Sequence, residues 1–403
     1  MINNNYTCGI DIGTHMTRVV VIGHNKPARP LGISGAGGGS KDPSVLATGS
    51  AETEGVRRGY ITNTDQVSES IKKAVEQAEK SFGGKIKKAF VSIGGISLNS
   101  IVSVGSVITS KSDQEITSLD VSKAISSSEE SLDLLNKKII HIIPIGYKLD
   151  GKEIYVRPEG MRGVKLEAKT LFITCLKQNI EDIATAFSLA KINIQDIIAS
   201  PIADSIILLS NKQKAAGCAL VNIGSETVSF SCFENNLLIS LQVFPIGSMD
   251  ITKDIALGLK ISMEEAESIK LGSVIGGDYS KKKIDEIIEA RLSDMFELIG
   301  NHLKRLRRNE LLPAGIIFTG GGTYINNIEE LARNQLKLPV RIGPVDTTIN
   351  NKFKIRDSSW YTAYGLTLSS TEGYPDKNVQ NLIGDNLKQV GGFFKSIFSQ
   401  LLP

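Results

Sequence analysis

Two stretches of this chain repeat one pattern. CGIDIGTHMTRVVV at residues 8–21 and LVNIGSETVSF at residues 220–230 are each an apolar run that ends in a tight glycine turn and resumes. In the first copy β-branched residues flank Gly13 and Thr14 on both sides, a hairpin signal. Such an internal repeat predicts duplication: two similar α/β halves, each opened by a strand, a glycine turn and a returning strand. The alignable side chains are Asp11 in the first copy and Asn222 in the second, so one turn keeps an acid that the other lacks.

The length agrees with that reading. A chain of 403 residues exceeds the roughly 250–300 residues at which single cores stop growing. Val67, Ile71, Ala74, Val75, Ala78 and Phe82 fall on one helical stripe that two glycines stop, so residues 64–82 are expected to form a core-facing helix. From Lys85 to Lys169 the texture changes to short strands, beginning with KAFVSIGG, with one helix-like piece near 118–130; this reads as a small α+β insertion. A helix near 179–191 and the stretch IQDIIASPIADSIILLS lead to the second glycine turn, where the order of elements begins again. Helical patterns follow at 262–270 and 283–308, then the strand of AGIIFTGGGTYI, whose glycines open a helix, and a last helix near WYTAYGLTLSS. The expected division is 1–84 for the first part of one domain, 85–165 for the insertion, 166–370 for the second domain and a return to the first, 371–386 for a linker and 387–403 for a terminal helix.

Composition narrows the partners. A net charge of +3 leaves no electrostatic footprint for nucleic acid, and no such partner is expected. Cys8, Cys175, Cys218 and Cys232 sit singly inside apolar runs without CxxC spacing, as small core residues in a reducing compartment do. No basic patch followed by an apolar run opens the chain, and no window approaches the ~18 apolar residues of a membrane-spanning helix. A cytoplasmic protein with at most peripheral membrane contact is therefore expected. The glycine-rich GISGAGGGSKDPS lacks the GKS or GKT ending of a P-loop and has no helix signal after it, so it reads as a flexible connection.

A strand that ends in a glycine turn aims several backbone amides at one point, and with hydroxyl side chains beside them they hold phosphate oxygens without a cationic side chain. Two such turns facing each other across a cleft would grip a polyphosphate from both sides. Asp11 could reach a magnesium ion through water, since magnesium prefers carboxylate and water oxygens. Read singly, each glycine turn is an ordinary strand turn; the ordered set carries the functional reading.

These residues in this order resemble a known family. GIDIGTHMT, VNIGSETVS, EEAESIKLG and GIIFTGGGTYI look like the phosphate, connecting and adenosine motifs of the actin-like ATPases, which include actin, the heat-shock chaperones and sugar kinases. Within that superfamily, the insertion, GVRRGYITN at 55–63 and the C-terminal tail make the chain similar to the FtsA family of bacterial cell-division proteins. The resemblance implies an α/β, actin-like (ribonuclease-H-like) two-domain fold with duplicated α/β halves and an inserted small α+β subdomain. It implies ATP and Mg2+ as cofactors, with Gly13, Thr14 and Thr17 on the phosphates and Asp11 near magnesium through water. Gly224, Ser225 and Thr227 would form the second phosphate loop, and Gly320, Gly321 and Gly322 would complete the nucleoside pocket. Glu267 and Lys270, on one helix face, would approach the ribose and adenine; without the resemblance they read as a surface ion pair worth a few tenths of a kcal/mol.

The chain departs from the family in its second loop, which usually carries an Asp, a run of glycines and a second Asp. Here those places hold Asn222, Ser225 with Glu226, and Ser229. An amide cannot act as a carboxylate base, and Glu226 replaces the missing acid only if it turns toward the metal. Losing a general base typically costs ~10²- to 10⁴-fold in rate, so ATP binding with slow or absent turnover is expected, with Asn222 and Glu226 as the candidate catalytic positions.

The tail adds a membrane contact. Residues 371–386 are polar and turn-rich, and LKQVGGFFKSIFSQLLP then places Val390, Phe394, Ile397, Phe398 and Leu401 on one stripe with Phe393 and Leu402 at its edges. Such a helix suits either an interfacial membrane position or packing on the domain surface; the resemblance implies the membrane anchor. It also implies self-assembly into filaments, further division partners at the septum, and docking of the C-terminal tail of the tubulin-like protein FtsZ on the helix of KIDEIIEARLSDMFELIG, through Arg291 and Asp294. Two alternatives share the fold: a PilM-like pilus-assembly platform, against which the amphipathic tail argues, and a sugar or carboxylate kinase. The kinase needs a deprotonating carboxylate near the second loop, which only Glu226 or Asp204 would supply.

Overall fold

The computed structural model describes residues 6–23, 44–272, 279–343 and 357–369. The linker 371–386 and the expected membrane-contact residues Val390, Phe393, Phe394, Ile397, Phe398, Leu401 and Leu402 lie outside the described residues.

Strand β1 (Tyr6–Ile12) turns at Gly13 into β2 (Met16–Gly23), antiparallel from Tyr6↔Gly23 to Ile12↔Thr17, and β3 (Ser44–Glu52) pairs antiparallel with β2. A short ribbon, β4 (Val56–Arg57) and β5 (Tyr60–Ile61), leads into α1 (Thr64–Phe82). This helix buries Val67, Ile71, Ala74, Val75 and Ala78 of the stripe read from the sequence and leaves Phe82 half-buried at its end. Asn63 caps its start by accepting from the N–H groups of Asp65 and Gln66, and Gly83, left-handed at φ 75°, stops it.

The next strand, β6 (Lys88–Ile93), corrects the expected boundary of the insertion. It pairs parallel with β1 and so belongs to the first sheet. Its five residues after Lys88 are all buried, the signature of a strand covered on both faces, whereas periodicity alone cannot separate such a run from the strands that follow.

The inserted unit comprises β7 (Asn99–Ile108), α2 (Ser118–Glu130), β8 (Lys137–Leu149), β9 (Lys152–Ile154) and β10 (Lys165–Leu176). Its helix lies directly on β7 because Gly105 has no side chain there: a Cβ would come within 2.2 Å of the Ala124 carbonyl. Ile116, Val121, Ala124, Leu166 and Ala168 give it a small core of its own.

The chain then returns to the first sheet through α3 (Lys177–Leu189) and β11 (Asn193–Ala199), followed by α4 (Ser200–Leu208) and α5 (Asn211–Ala216). The second half repeats the plan with β12 (Cys218–Ile223), β13 (Val228–Glu234), β14 (Leu237–Phe244), α6 (Ser248–Leu259), α7 (Met263–Lys270), α8 (Lys281–Arg305), β15 (Ile316–Thr319), α9 (Ile328–Leu336) and β16 (Val340–Ile342). Helix α10 (Tyr361–Leu368) comes back to pack on α4 and β1.

The duplication is explicit in the sheets. The first runs β3-β2-β1-β6-β11 and the corresponding part of the second runs β14-β13-β12-β15-β16, each with three antiparallel strands followed by two parallel ones. The inserted sheet, β7-β10-β8-β9, joins β14 through the pair Gln242↔Asn99, where Leu241 N–H donates to Ser100 Oγ at 2.8 Å and that hydroxyl donates back to the Leu241 carbonyl at 3.1 Å. All four cysteines are free and buried, as their apolar surroundings predict.

Candidate functional site

The two glycine turns close alike. Gly13 N–H donates to the Met16 carbonyl at 3.1 Å, and Gly224 N–H donates to the Thr227 carbonyl at 2.9 Å. Both face one cleft, a cavity of about 280 Å³ lined by Thr14 and His15 from the first turn, Ser225 and Glu226 from the second, and Thr53, Arg57 and Gln66 from the elements between. Two turns with adjacent hydroxyls are chemically suited to an anion.

The acids beside the turns are held differently. Asp11 Oδ1 accepts from Ser92 Oγ at 2.6 Å, and no hydrogen bond reaches its Oδ2 among the described residues. Arg18 stands opposite Asp11 in the β1–β2 ladder and stacks 5.7 Å over Trp360. Burial raises the Asp11 pKa, while the Ser92 bond and the Arg18 charge oppose the rise.

In the second half Asn222 donates to Asp204 Oδ2 at 2.8 Å, and Thr362 Oγ1 donates to Asp204 Oδ1 at 2.7 Å. Asp204 is wholly buried on α4. Burial pushes its carboxyl up to about 7, the two hydrogen bonds oppose that rise, and the Asp11 charge adds to it. A single carboxylate thus links α4 and α10 of the first half to β12 of the second.

Glu226, offered by the sequence as a replacement acid, is turned toward the ribbon of the first half. Its Oε1 accepts from Arg57 Nη1 at 2.8 Å and its Oε2 from Arg58 N–H at 2.7 Å. With each oxygen accepting from the ribbon, it is a clamp between the second turn and the β4–β5 ribbon. Thr17 is also diverted: it is fully buried, and its hydroxyl pairs with that of Thr53 at 2.8 Å, tying β2 to the end of β3. Thr227 supplies the carbonyl that closes the second turn.

The three glycines after β15 divide by role. Gly320, at φ 93°, packs so tightly under the second turn that a Cβ would lie 2.2 Å from Asn222 Oδ1 and 2.5 Å from the Ile223 carbonyl. Gly322 is similarly close to Ile223, whereas Gly321 is exposed with open space above it. They open a single 3-10 turn, Gly321–Tyr324, and not the expected helix; α9 starts afresh after Asn327, which is left-handed at φ 63° and breaks the continuity.

Glu267 and Lys270 form an ion pair whose lysine is buried while the glutamate, 39% exposed, reaches the surface. The Lys270 side chain is 5% exposed, and its Nζ sits 2.6 Å from Glu267 Oε2, 2.9 Å from Thr252 Oγ1 and 3.4 Å from the Ser248 carbonyl. Ser248 in turn donates its N–H to the Gly224 carbonyl at 2.9 Å, so this ion pair is wired to the second turn. Arg291 and Asp294 lie on α8. There Asp254 of α6 holds Arg291 in a two-pronged pair at 2.6 and 3.0 Å, with Asp294 at 3.1 Å, and the Asp254 hydrogen bonds are the leading cause of a raised Arg291 pKa.

Sequence reasoning did not anticipate the parts played by Ser92, Thr362 and Arg57, and gave Asp204 only a passing role. For Asp204 a signal existed: it is the lone charge in IIASPIADSIILLS, on a helix otherwise marked for burial.

A family model described as cell division protein FtsA matches residues 219–365, and one described as the SHS2 domain inserted in FtsA matches residues 95–174. The cell division protein FtsA of Bacillus subtilis (strain 168) is 30% identical over 389 residues, covering 91% of this chain and 83% of that protein. Among solved structures, the PilM–PilN type IV pilus biogenesis complex aligns with a TM-score of 0.65 at 14% identity, covering 91% of this chain and 99% of that one. MreB5 of Spiroplasma citri bound to ADP aligns with a TM-score of 0.51 at 12% identity, covering 91% and 97%. These structures share the fold, which is the actin-like one.

Proposed function

This chain belongs to the FtsA family of cell-division proteins, and from that premise we propose that it is a nucleotide-gated adaptor. In this reading MgATP binds between the two turns and copies of the chain assemble through actin-like contacts. Residues 387–403 attach the assembly to the inner face of the cytoplasmic membrane at the division site. The FtsZ tail docks beside Arg291 and Asp294, and other division proteins join there.

The observation that carries the nucleotide reading is the pair of like turns lining one cavity. The donor set fits the group: Asp11 offers a half-buried carboxylate with an oxygen free of hydrogen bonds among the described residues, and Thr14 and Ser225 offer hydroxyls at the cavity wall. Bound magnesium would neutralise phosphate charge. The work of the chain is to grip phosphates with the turn amides, to keep the Lys270–Glu267 pair beside them, and to leave room over Gly321. Turnover is expected to be slow, because the Asn222 amide cannot accept a proton and both Glu226 oxygens are occupied.

Docking on α8 is competitive in this reading, since an acidic peptide has to share Arg291 with Asp254. Membrane attachment needs many copies, because Lys388 and Lys395 supply only ~1 kcal/mol each on anionic lipid. Full-length protein should float with anionic vesicles and carry a fluorescent FtsZ-tail peptide; removing 387–403 should release both, and Arg291→Glu should release the peptide alone. Peptide carried undiminished by Arg291→Glu would remove α8 from the interface, and flotation of the truncated chain would remove the tail.

A further inference from the structure

We propose that Asp204 and Asn222 are an exchanged pair: Asp204 holds from α4 the acid that the second glycine turn lacks, and Asn222 is the amide that fixes it there. The inference rests on the nucleotide reading above and deepens it, because it assigns the missing acid of that site to a residue outside both turns.

The geometry carries the assignment. A fully buried carboxyl favours its neutral form unless a nearby positive charge draws the proton off. Asp204 has no cation within ion-pair distance among the described residues; its partners are the Asn222 amide at 2.8 Å and the Thr362 hydroxyl at 2.7 Å. The position is fixed from three sides, by α4, by α10 and by β12, the strand whose end becomes the second turn. Asn222 leads into Gly224 with one residue between them, so the Asp204 carboxyl sits directly behind the turn. Asp11, which stands at the matching place before the first turn, is near enough to feel it.

The amide is then explained as well. A carboxylate at position 222 would face Asp204 at hydrogen-bond distance with no donor between them, and two acids in such contact cannot both ionise. Asn222 supplies the N–H that holds a single acid in place and lets it ionise without a second acid opposing it. Asp204 touches no ligand in this arrangement. It is a positioning residue, acting through Asn222 and, once a cation held near Asp11 draws its proton off, through the charge that remains.

The prediction separates the place of the charge from its presence. Affinity for a fluorescent ATP analogue is measured by anisotropy on the full chain, in magnesium and in EDTA, for wild type, Asp204→Asn, Asn222→Asp and the double exchange Asp204→Asn/Asn222→Asp, with melting temperature recorded for each. Wild type should bind more tightly in magnesium. Asp204→Asn should lose about 10- to 100-fold of that advantage, as removal of groups that orient a metal's ligands does. Asn222→Asp should lose it too, by setting acid against acid. The double exchange keeps one acid and one amide in contact and should recover most of the loss, which a merely structural role would not produce. It also keeps the test decisive if Asp204→Asn fails to fold. A magnesium advantage unchanged in Asp204→Asn, or a double exchange no better than the worse single, overturns the exchanged pair while leaving nucleotide binding intact; magnesium-independent binding by wild type does the same. Failure of wild type to bind nucleotide at all overturns the nucleotide reading, and the exchanged pair with it.

Discussion

The two glycine turns share a backbone and differ in wiring. The first is held within its own sheet: Gly13 closes on Met16, and the N–H of Thr53 at the end of β3 donates to the His15 carbonyl at 2.9 Å. The second is tied in three directions. Helix α6 starts on it through Ser248 and Met249, which donate to the Gly224 and Ser225 carbonyls at 2.9 and 2.8 Å. Glu226 clamps the ribbon of the other half, and Asn222 reaches α4. One turn is a rigid edge and the other a junction, so a change in how the halves sit relative to one another is felt first at the second turn.

Substitutions that break this comparison should scale with the wiring. Gly320→Ala should have the largest effect, about 3 kcal/mol or more by denaturant unfolding, because it combines a left-handed backbone with a clash under Asn222 and Ile223. Gly13→Ala meets only the Met16 carbonyl, at 2.8 Å, and should cost clearly less; equal losses would mean the turns are equally embedded. Glu226→Ala strands the Arg58 N–H and should cost about 1–3 kcal/mol, with faster hydrogen exchange at 55–61. Arg57→Ala removes only the exposed partner of that clamp, 75% accessible, and should cost under ~1 kcal/mol. A larger loss for Arg57→Ala than for Glu226→Ala would overturn the clamp.

The most gradual effect is expected with pH. The Asp204 carboxyl is raised from its ordinary 3.8 to about 7 in the fold, so between those values the native state keeps a proton that the unfolded chain has released. The contribution of Asp204 to stability therefore falls as pH rises through that window, by at most about 1.4 kcal/mol per unit, and is level above it. Asp204→Asn should flatten that part of the profile; an unchanged slope would show that the proton sits elsewhere.

The sequence was most legible where period and punctuation agreed. The repeat at Gly13 and Gly224, the stripe and glycine stop of α1, and the helices at 177–189 and 281–305 all stand close to where pattern places them. Strand β6 was misassigned because a strand buried on both faces has no alternation to mark its sheet. In the site, local spacing identified the turns but not what their side chains touch. Thr17, Glu226 and Asn222 are each engaged by a residue outside their own turn, Thr53, Arg57 and Asp204, and such pairings follow from tertiary packing, within the first sheet for Thr17 and between the halves for the other two, rather than from any motif.

The most direct measurement of the central claim is a single-turnover experiment with labelled MgATP and excess full-length protein, reading bound nucleotide and released phosphate from the same sample. Two turns gripping phosphates, with the Glu226 oxygens engaged and an amide at position 222, predict tight binding and phosphate release far slower than binding. Phosphate released as fast as nucleotide binds would contradict that account, and so would a cleft that takes up no nucleotide at all.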